Sequence, residues 1–113
     1  MPFISTKTNR TLSEKEKITL KEKLGEAIAI IPGKSERWLM LSFEDGLTMS
    51  LAGDMSATAM IDVEIFGSAT EAAYAKLTAE ITRIVSEVAM IPTDRIYVKY
   101  REVGVWGYNG ENF

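Results

Sequence analysis

The chain of 113 residues contains no cysteine and no histidine. Without cysteine it can form no disulfide, no thiolate nucleophile and no zinc–sulfur site. Without histidine it has neither a Ser-His-Asp triad nor an imidazole metal ligand. Acid–base chemistry near neutral pH would therefore depend on a carboxylate, a lysine, a tyrosine or the amine at the chain terminus.

Long apolar runs and an excess of basic charge are missing as well. No segment stays apolar over the length of a membrane-spanning helix. The net charge of −3 gives no electrostatic reason to expect nucleic acid or an anionic membrane as a partner. Because the N-terminal residues lack the apolar core of a secretion signal, we expect a cytoplasmic protein, with export by a route without a signal peptide left open. The length fits one domain over residues 1–113.

The first half of the chain predicts a strand, a helix and a second strand. Residues 3–8 have the character of a strand, and Ser13 with Glu16 predicts a capping box at the start of a helix. Pro32 ends that helix. A compact apolar run over residues 38–43 then predicts a buried strand.

The second half repeats this plan. Residues 58–66 predict a strand with one apolar face, and Ser68 with Glu71 predicts a second capping box. Pro92 ends the second helix, and residues 95–101 predict a strand. Two such βαβ units with right-handed crossovers predict an α+β fold, a four-stranded sheet with two helices on one face.

Two short elements are predicted in addition. Residues 47–51 are expected to form a hairpin arm after the Asp45-Gly46 turn. Residues 105–108 are expected to add a last strand near the end of the chain.

Two helices cover only one face of the predicted sheet. The other face would be apolar, which is unusual for a soluble monomer, so we expect a closed homo-oligomer. It would carry Met60, Phe66 and Tyr97, with either Trp38 and Met40 or the alternate residues of that strand, Leu39, Leu41 and Phe43.

Five short motifs are spread along nearly the whole chain. The chain opens with Met1-Pro2, Gly33-Lys34 follows the first helix, and the third strand ends in Phe66-Gly67. The most specific motifs are proline–x–Asp–Arg–apolar–Tyr at 92–97 and Trp-Gly-aromatic-Asn-Gly at 106–110. In these motifs the chain resembles the macrophage migration inhibitory factor family of the tautomerase superfamily. The resemblance implies a homotrimer with its three sheets facing inward. It also implies keto–enol tautomerisation of phenylpyruvate-type or dopachrome-type substrates without metal or organic cofactor.

The resemblance makes Pro2 the catalytic base. Removal of Met1 would leave a secondary amine, and burial and nearby cations lower the pKa of a terminal amine from its usual value of about 7.7–8.0. A neutral amine near working pH can then accept a proton from carbon. While Met1 is attached, the Pro2 nitrogen is a tertiary amide and cannot act as a base. The alternative is that Pro2 only begins a strand, where its missing N–H is harmless.

Cationic and aromatic side chains complete the implied site. Lys34 would hold the substrate carboxylate and lower the pKa of Pro2; the alternative is a solvated lysine in a turn. Tyr97 and Lys99 share one strand face, and Tyr97 would line the pocket of a neighbouring subunit. Lys99 stands where relatives commonly carry asparagine. It could bind substrate, block the pocket, or pair with an acidic neighbour such as Asp62 across the trimer.

The remaining implied contacts are aromatic. Phe66 would bring a backbone group to the substrate and, as a bulky residue, narrow the site. Trp106, Tyr108 and Phe113 would form walls for a planar substrate, and packing of the C-terminal tail is the alternative.

Three functions stay open at this point. The first is a cofactor-independent isomerase, a phenylpyruvate tautomerase-like enzyme acting on a small aromatic 2-oxo acid. The second is a cytokine-like binding trimer with vestigial activity. The third is a proline-dependent hydratase or dehalogenase, which Lys99 keeps open. Some relatives carry a Cys-x-x-Cys segment, but residues 58–61 contain no cysteine, which excludes thiol oxidoreductase activity.

Overall fold

The computed structural model describes residues 1–113, and its main elements alternate strand and helix in each half. The first half consists of β1 (Pro2–Thr8), α1 (Glu14–Ala27) and β2 (Met40–Glu44), with 3₁₀ turns at Ile28–Ile30 and Glu36–Trp38. The second half consists of β3 (Ala59–Phe66), α2 (Glu71–Ala89) and β4 (Ile96–Val103), with a 3₁₀ turn at Thr93–Arg95. Two short strands, β5 (Gly107–Tyr108) and β6 (Glu111–Asn112), follow.

The four long strands form one mixed sheet in the order β2-β1-β3-β4. Within each half the two strands are parallel, and β1 and β3 join the halves as an antiparallel pair in which Ile4 lies opposite Val63. The predicted α+β fold, with four strands and two helices, is confirmed.

Alternation along the strands separates a covered face from an open face. Every second residue of β3 is buried, and these side chains pack with the apolar faces of both helices. Ile4 and Ile61 on the sheet and Leu24 and Ile81 on the helices are completely buried. Neither helix combines the length and the apolar character that a membrane crossing requires.

The open face is mixed in character, whereas the sequence predicted an apolar one. Met40 and Tyr97 are 67% and 54% exposed there. The strand register also places charged side chains on this face, namely Lys7, Glu44, Asp62, Glu64, Lys99 and Arg101. Of the two alternatives for the second strand, Met40 faces the open side, while Leu39, Leu41 and Phe43 pack against the core.

The second strand differs from its prediction in extent and burial. Trp38 belongs to the 3₁₀ turn, so β2 begins at Met40. β2 lies at the sheet edge with β1 as its single neighbour, and none of its residues is buried. An apolar run therefore marked an edge strand, not a central one.

One predicted capping box is confirmed and the other is wrong. The Ser13 hydroxyl accepts a hydrogen bond from the Glu16 amide (3.0 Å), and the Glu16 carboxylate accepts one from the Ser13 amide (2.8 Å). At α2 the cap is Thr70, whose hydroxyl accepts from the Ala73 amide (3.1 Å). Glu71 is the first residue of this helix, so it cannot reach back from the third position as a Ser68 box requires.

One of the two short predicted elements is wrong and the other is confirmed in part. Residues 47–51 form no strand; Leu51 makes one isolated bridge to Asp54, and side chains from other elements hold this loop. Within residues 105–108 a strand does form, β5, and it pairs with β6 in a separate hairpin instead of joining the main sheet. The Asn109-Gly110 turn explains that pairing. Both of its residues have positive φ (53° and 84°), as a tight hairpin turn requires.

Candidate active site

A concave site of about 620 Å³ opens at the end of the sheet where β1 begins. Its walls come from the N-terminus, the connection before β2, the end of β3 and the C-terminal hairpin. They consist of Met1, Pro2, Phe3, Arg37, Trp38, Leu39, Met40, Glu64, Trp106, Gly107 and Tyr108. Mostly apolar walls with a few polar groups are typical of small-molecule sites.

Pro2 is buried at the start of β1, opposite Ile65 of β3. The Met1 carbonyl accepts a hydrogen bond from the Phe66 amide (2.9 Å), which extends the β1–β3 pairing by one residue. Met1 is attached in this chain, so the Pro2 nitrogen is an amide here. Pro2 is one of the residues that form the cavity wall.

Lys34 follows a tight turn, and its side chain reaches the start of β1 next to Met1 and Pro2, which we call the Pro2 corner. The Lys34 amide donates to the Ile31 carbonyl (3.0 Å), with Pro32 and Gly33 at the two central positions. Gly33 has a φ of +82°, which fits the third position of a type II turn and favours glycine there. The Lys34 ammonium donates to the Phe66 carbonyl at 2.8 Å, so Phe66 provides a backbone contact to both Met1 and Lys34.

The environment at this corner destabilises a charged amine. The pKa of the Met1 terminal amine is lowered from its ordinary value, first by burial and then by the charge and hydrogen bond of Lys34. Both effects favour the neutral form, which is the form that can accept a proton.

A chain of aromatic rings begins with Trp38 and Tyr108 at the cavity rim and extends beyond it. The Trp38 and Tyr108 rings meet edge to face with centroids 5.1 Å apart, and Tyr108 stacks with Phe113 at 6.1 Å. Phe113 in turn lies 5.9 Å from Phe66. The hairpin holds this arrangement, since the Phe113 amide donates to the Trp106 carbonyl (3.0 Å). Of the aromatic residues that the sequence analysis selected, Trp106 and Tyr108 line the cavity, and Phe113 and Phe66 continue the chain of rings outside its walls.

Sequence reasoning missed Arg37 and Glu64 as residues of the cavity wall. The Arg37 guanidinium carbon lies 5.2 Å from the centroid of the Trp38 ring. The sequence contained a signal for Arg37, because this cationic residue lies between Lys34, a predicted site residue, and the strand predicted over residues 38–43. Glu64 is the single acidic side chain on the wall, and no three acidic side chains of the chain cluster as a metal site would require.

Tyr97 and Lys99 lie outside this cavity within one chain, on the open face of the sheet. The Lys99 ammonium pairs with Asp62 of the adjacent strand, with nitrogen and oxygen 3.1 Å apart. Tyr97 is 54% exposed. Any contact of these two residues with a ligand at Pro2 would have to come from another copy of the chain.

Comparisons with known proteins agree on one family. The family model described as macrophage migration inhibitory factor matches residues 1–113. Among solved structures, MIF2 of Leishmania major is 29% identical with a TM-score of 0.94, over 100% of this chain and 97% of that one. The macrophage migration inhibitory factor homologue of Prochlorococcus marinus is 23% identical with a TM-score of 0.89, over 98% of each chain.

A more distant structural relative is a fused 4-OT protein in the form of a wild-type asymmetric trimer. It is 16% identical with a TM-score of 0.86, over 97% of this chain and 94% of that one. This likeness shows the fold alone. A comparison with curated proteins returned no match.

Proposed function

Because the chain belongs to the macrophage migration inhibitory factor family, we propose that it is a keto–enol tautomerase acting on an aryl 2-oxo acid. The reaction is an isomerisation that needs no cofactor. The catalytic base is the amine of Pro2 after Met1 has been removed.

The reaction moves one proton and one electron pair. The neutral Pro2 amine takes a proton from the carbon next to the carbonyl, and the C–H electron pair forms the enol double bond. The carbonyl π electrons move to the oxygen, which takes up a proton from water, and the protonated amine returns its proton to solvent. Lys34 holds the substrate carboxylate and favours the neutral amine, and the rim aromatics contact the ring.

The observation that carries this proposal is the corner formed by Pro2, Lys34 and Phe66. A lysine side chain is held at the terminus by a hydrogen bond to the Phe66 carbonyl (2.8 Å), and the amine there has a lowered pKa. Removal of Met1 would move the amine one residue inward, to a buried position on the cavity wall. Burial and the positive charge of Lys34 would act on it in the same direction.

We propose in addition that the active form is a homotrimer in which Tyr97 reaches the site of a neighbouring copy. Met40 and Tyr97 are exposed on the open sheet face, and a structural relative with the same fold is a trimer. Light scattering should therefore give three times the mass of the chain. A monomer that is fully active would contradict this assembly.

The two other functions gain no specific support from the site. The hydratase or dehalogenase hypothesis depended on Lys99 as an additional cation, and Lys99 is paired with Asp62 in the same chain. The cytokine-like hypothesis requires a surface that binds a partner, and the cavity is not evidence for such a surface. Both stay as predictions from the sequence.

The test is the ultraviolet absorbance change of phenylpyruvate from enol to keto, with protein whose N-terminus has been verified by mass. A variant with one alanine inserted before Pro2 keeps the proline but converts its nitrogen into an amide. It should lose about 10²–10⁴-fold in rate, the usual contribution of a general base, and full activity in this insertion variant would refute the amine mechanism. Pro2→Gly keeps a terminal amine, now a primary one, and should lose less.

A further inference from the structure

Arg37 differs from most arginines of the chain in having no partner. Arg10 donates to the Ala89 carbonyl, Arg83 pairs with two glutamates, and Arg95 donates to a set of loop carbonyls. Arg37 takes part in none of the ion pairs or side-chain hydrogen bonds of the chain. Its guanidinium therefore keeps all of its donors free at the cavity wall.

The position of Arg37 is nevertheless defined by packing. Its guanidinium carbon lies 5.2 Å from the Trp38 ring centroid, and Trp38 is held edge to face by Tyr108. A guanidinium stacked on an aromatic ring has fewer conformations than a free side chain, so less entropy is lost when it binds a ligand. The 3₁₀ turn Glu36–Trp38 fixes the backbone beneath it.

The charges around the cavity are arranged asymmetrically. Lys34 lies at the Pro2 corner, where its ammonium is bound to the Phe66 carbonyl, and Arg37 lies beside Trp38. Glu64, the acidic residue of the wall, forms no ion pair with either cation. A ligand carboxylate is repelled by Glu64 and attracted to the two cations, so two carboxylates are best accommodated one at each cation.

We propose that Arg37 is a specificity-determining residue that binds a second carboxylate of the substrate. The preferred substrates would then be 2-oxo acids that carry another carboxylate at the end remote from the reacting carbon. The planar fork of a guanidinium matches a carboxylate with two parallel hydrogen bonds, which a lysine at the same place would not provide. This inference rests on the proposed function for the identity of the reaction, but not for the binding of the anion.

The kinetic test uses two substrates that differ by one carboxylate, phenylpyruvate and (4-carboxyphenyl)pyruvate. In Arg37→Gln, kcat/KM for the carboxylated substrate should fall about tenfold or more, because a charged hydrogen bond is lost. For phenylpyruvate it should change by less than about twofold. Arg83→Gln is the matched control, since Arg83 is also exposed and lies on α2, outside the cavity and on the side of the sheet opposite to the open face. Equal effects of Arg37→Gln on both substrates, or no effect on either, would overturn the assignment.

A binding measurement separates this inference from the proposed function. Trp38 and Trp106 both line the cavity, so their fluorescence reports on ligands that bind there without reacting. (4-Carboxyphenyl)acetate should bind more tightly than phenylacetate, and Arg37→Gln should remove that preference. If neither pyruvate reacts but this preference depends on Arg37, the tautomerase proposal fails and the anion site stands. If both pyruvates react and the variant retains the preference, the anion site fails and the tautomerase proposal stands.

Discussion

The two ends of the sheet are built in opposite ways. At the end remote from Pro2, polar side chains close a loop by bonding to its backbone. Arg95 donates to the carbonyls of Ala57 (2.9 Å), Asp54 (2.9 Å), Ser56 (3.3 Å) and Leu51 (3.5 Å). Asn9 donates from its amide to two carbonyls of the same loop and accepts from the Thr58 amide.

The Pro2 end has few such bonds and keeps its polar groups available. Lys34 makes one hydrogen bond to a carbonyl, Arg37 makes none, and ring contacts join Trp38, Tyr108, Phe113 and Phe66 in one series. Hydrogen bonds between side chains and backbone stabilise a loop but leave no donors for a ligand. The comparison therefore indicates that one end contributes mainly to stability and the other mainly to binding.

The largest effect that separates the two ends is expected for Lys34→Met. Loss of a charged donor at the site should lower kcat/KM for phenylpyruvate by about 10²-fold. The free energy of unfolding should fall by only about 1 kcal/mol, the contribution of one hydrogen bond. Steady-state kinetics and urea denaturation measure the two quantities. Lys21→Met, at an exposed lysine of α1, is the control and should change neither.

The same variant should also change the pH dependence of the reaction. Burial and Lys34 lower the pKa of the Met1 amine. We expect the same direction for the Pro2 amine once Met1 is removed, so the neutral base should persist to lower pH. Removing the positive charge of Lys34 raises that pKa, and activity should then be lost at a higher pH as the amine becomes protonated. A profile of kcat/KM against pH that keeps its acidic limb in place would show that Lys34 does not act on the base.

Arg95→Met should have the reverse pattern. The substitution removes the guanidinium donors from four loop carbonyls, of which those of Leu51 and Ser56 keep another donor, and we expect the free energy of unfolding to fall by about 2 kcal/mol. The activity of the folded enzyme should be retained, because Arg95 lies at the other end of the sheet. Lys21→Met, which removes an exposed cation that makes no ion pair, is again the control and should leave the urea midpoint unchanged. A large loss of activity in folded Arg95→Met would show that the two ends are coupled.

The smallest effect is expected for Gly110→Ala in the C-terminal hairpin. Gly110 has a φ of +84°, so a methyl group there should destabilise the turn by about 1 kcal/mol. Amide exchange at Phe113, which bonds to the Trp106 carbonyl, should become about fivefold faster without a change in global stability. Gly104→Ala is the control, because that glycine has neither a positive φ nor an atom within 4 Å of the added methyl group. Slower exchange, or an equal change in the control, would contradict this explanation of the turn.

Local signals in the sequence predicted most of the elements correctly. Alternation on β3 gave its buried face, and Ser13 with Glu16 gave the start of α1, because both depend on neighbours within a few residues. The errors arose where the cap was assigned two residues too early or where position in the sheet decided the outcome. Thr70, not the predicted Ser68, caps α2, and the burial of the second strand depended on its place at the edge of the sheet.

Within the site, the sequence determined which types of residue are present, and the tertiary structure decided which of them lie together. The sequence by itself determined the α+β architecture, the turn that presents Lys34 and the aromatic character of the C-terminal segment, because these follow from local patterning and turn chemistry. Only the tertiary structure brought Arg37 and Trp38 onto the same cavity wall as Pro2, and placed Lys99 beside Asp62 away from that wall. Those contacts join residues whose positions depend on strand order, register and hairpin packing, which no local pattern specifies.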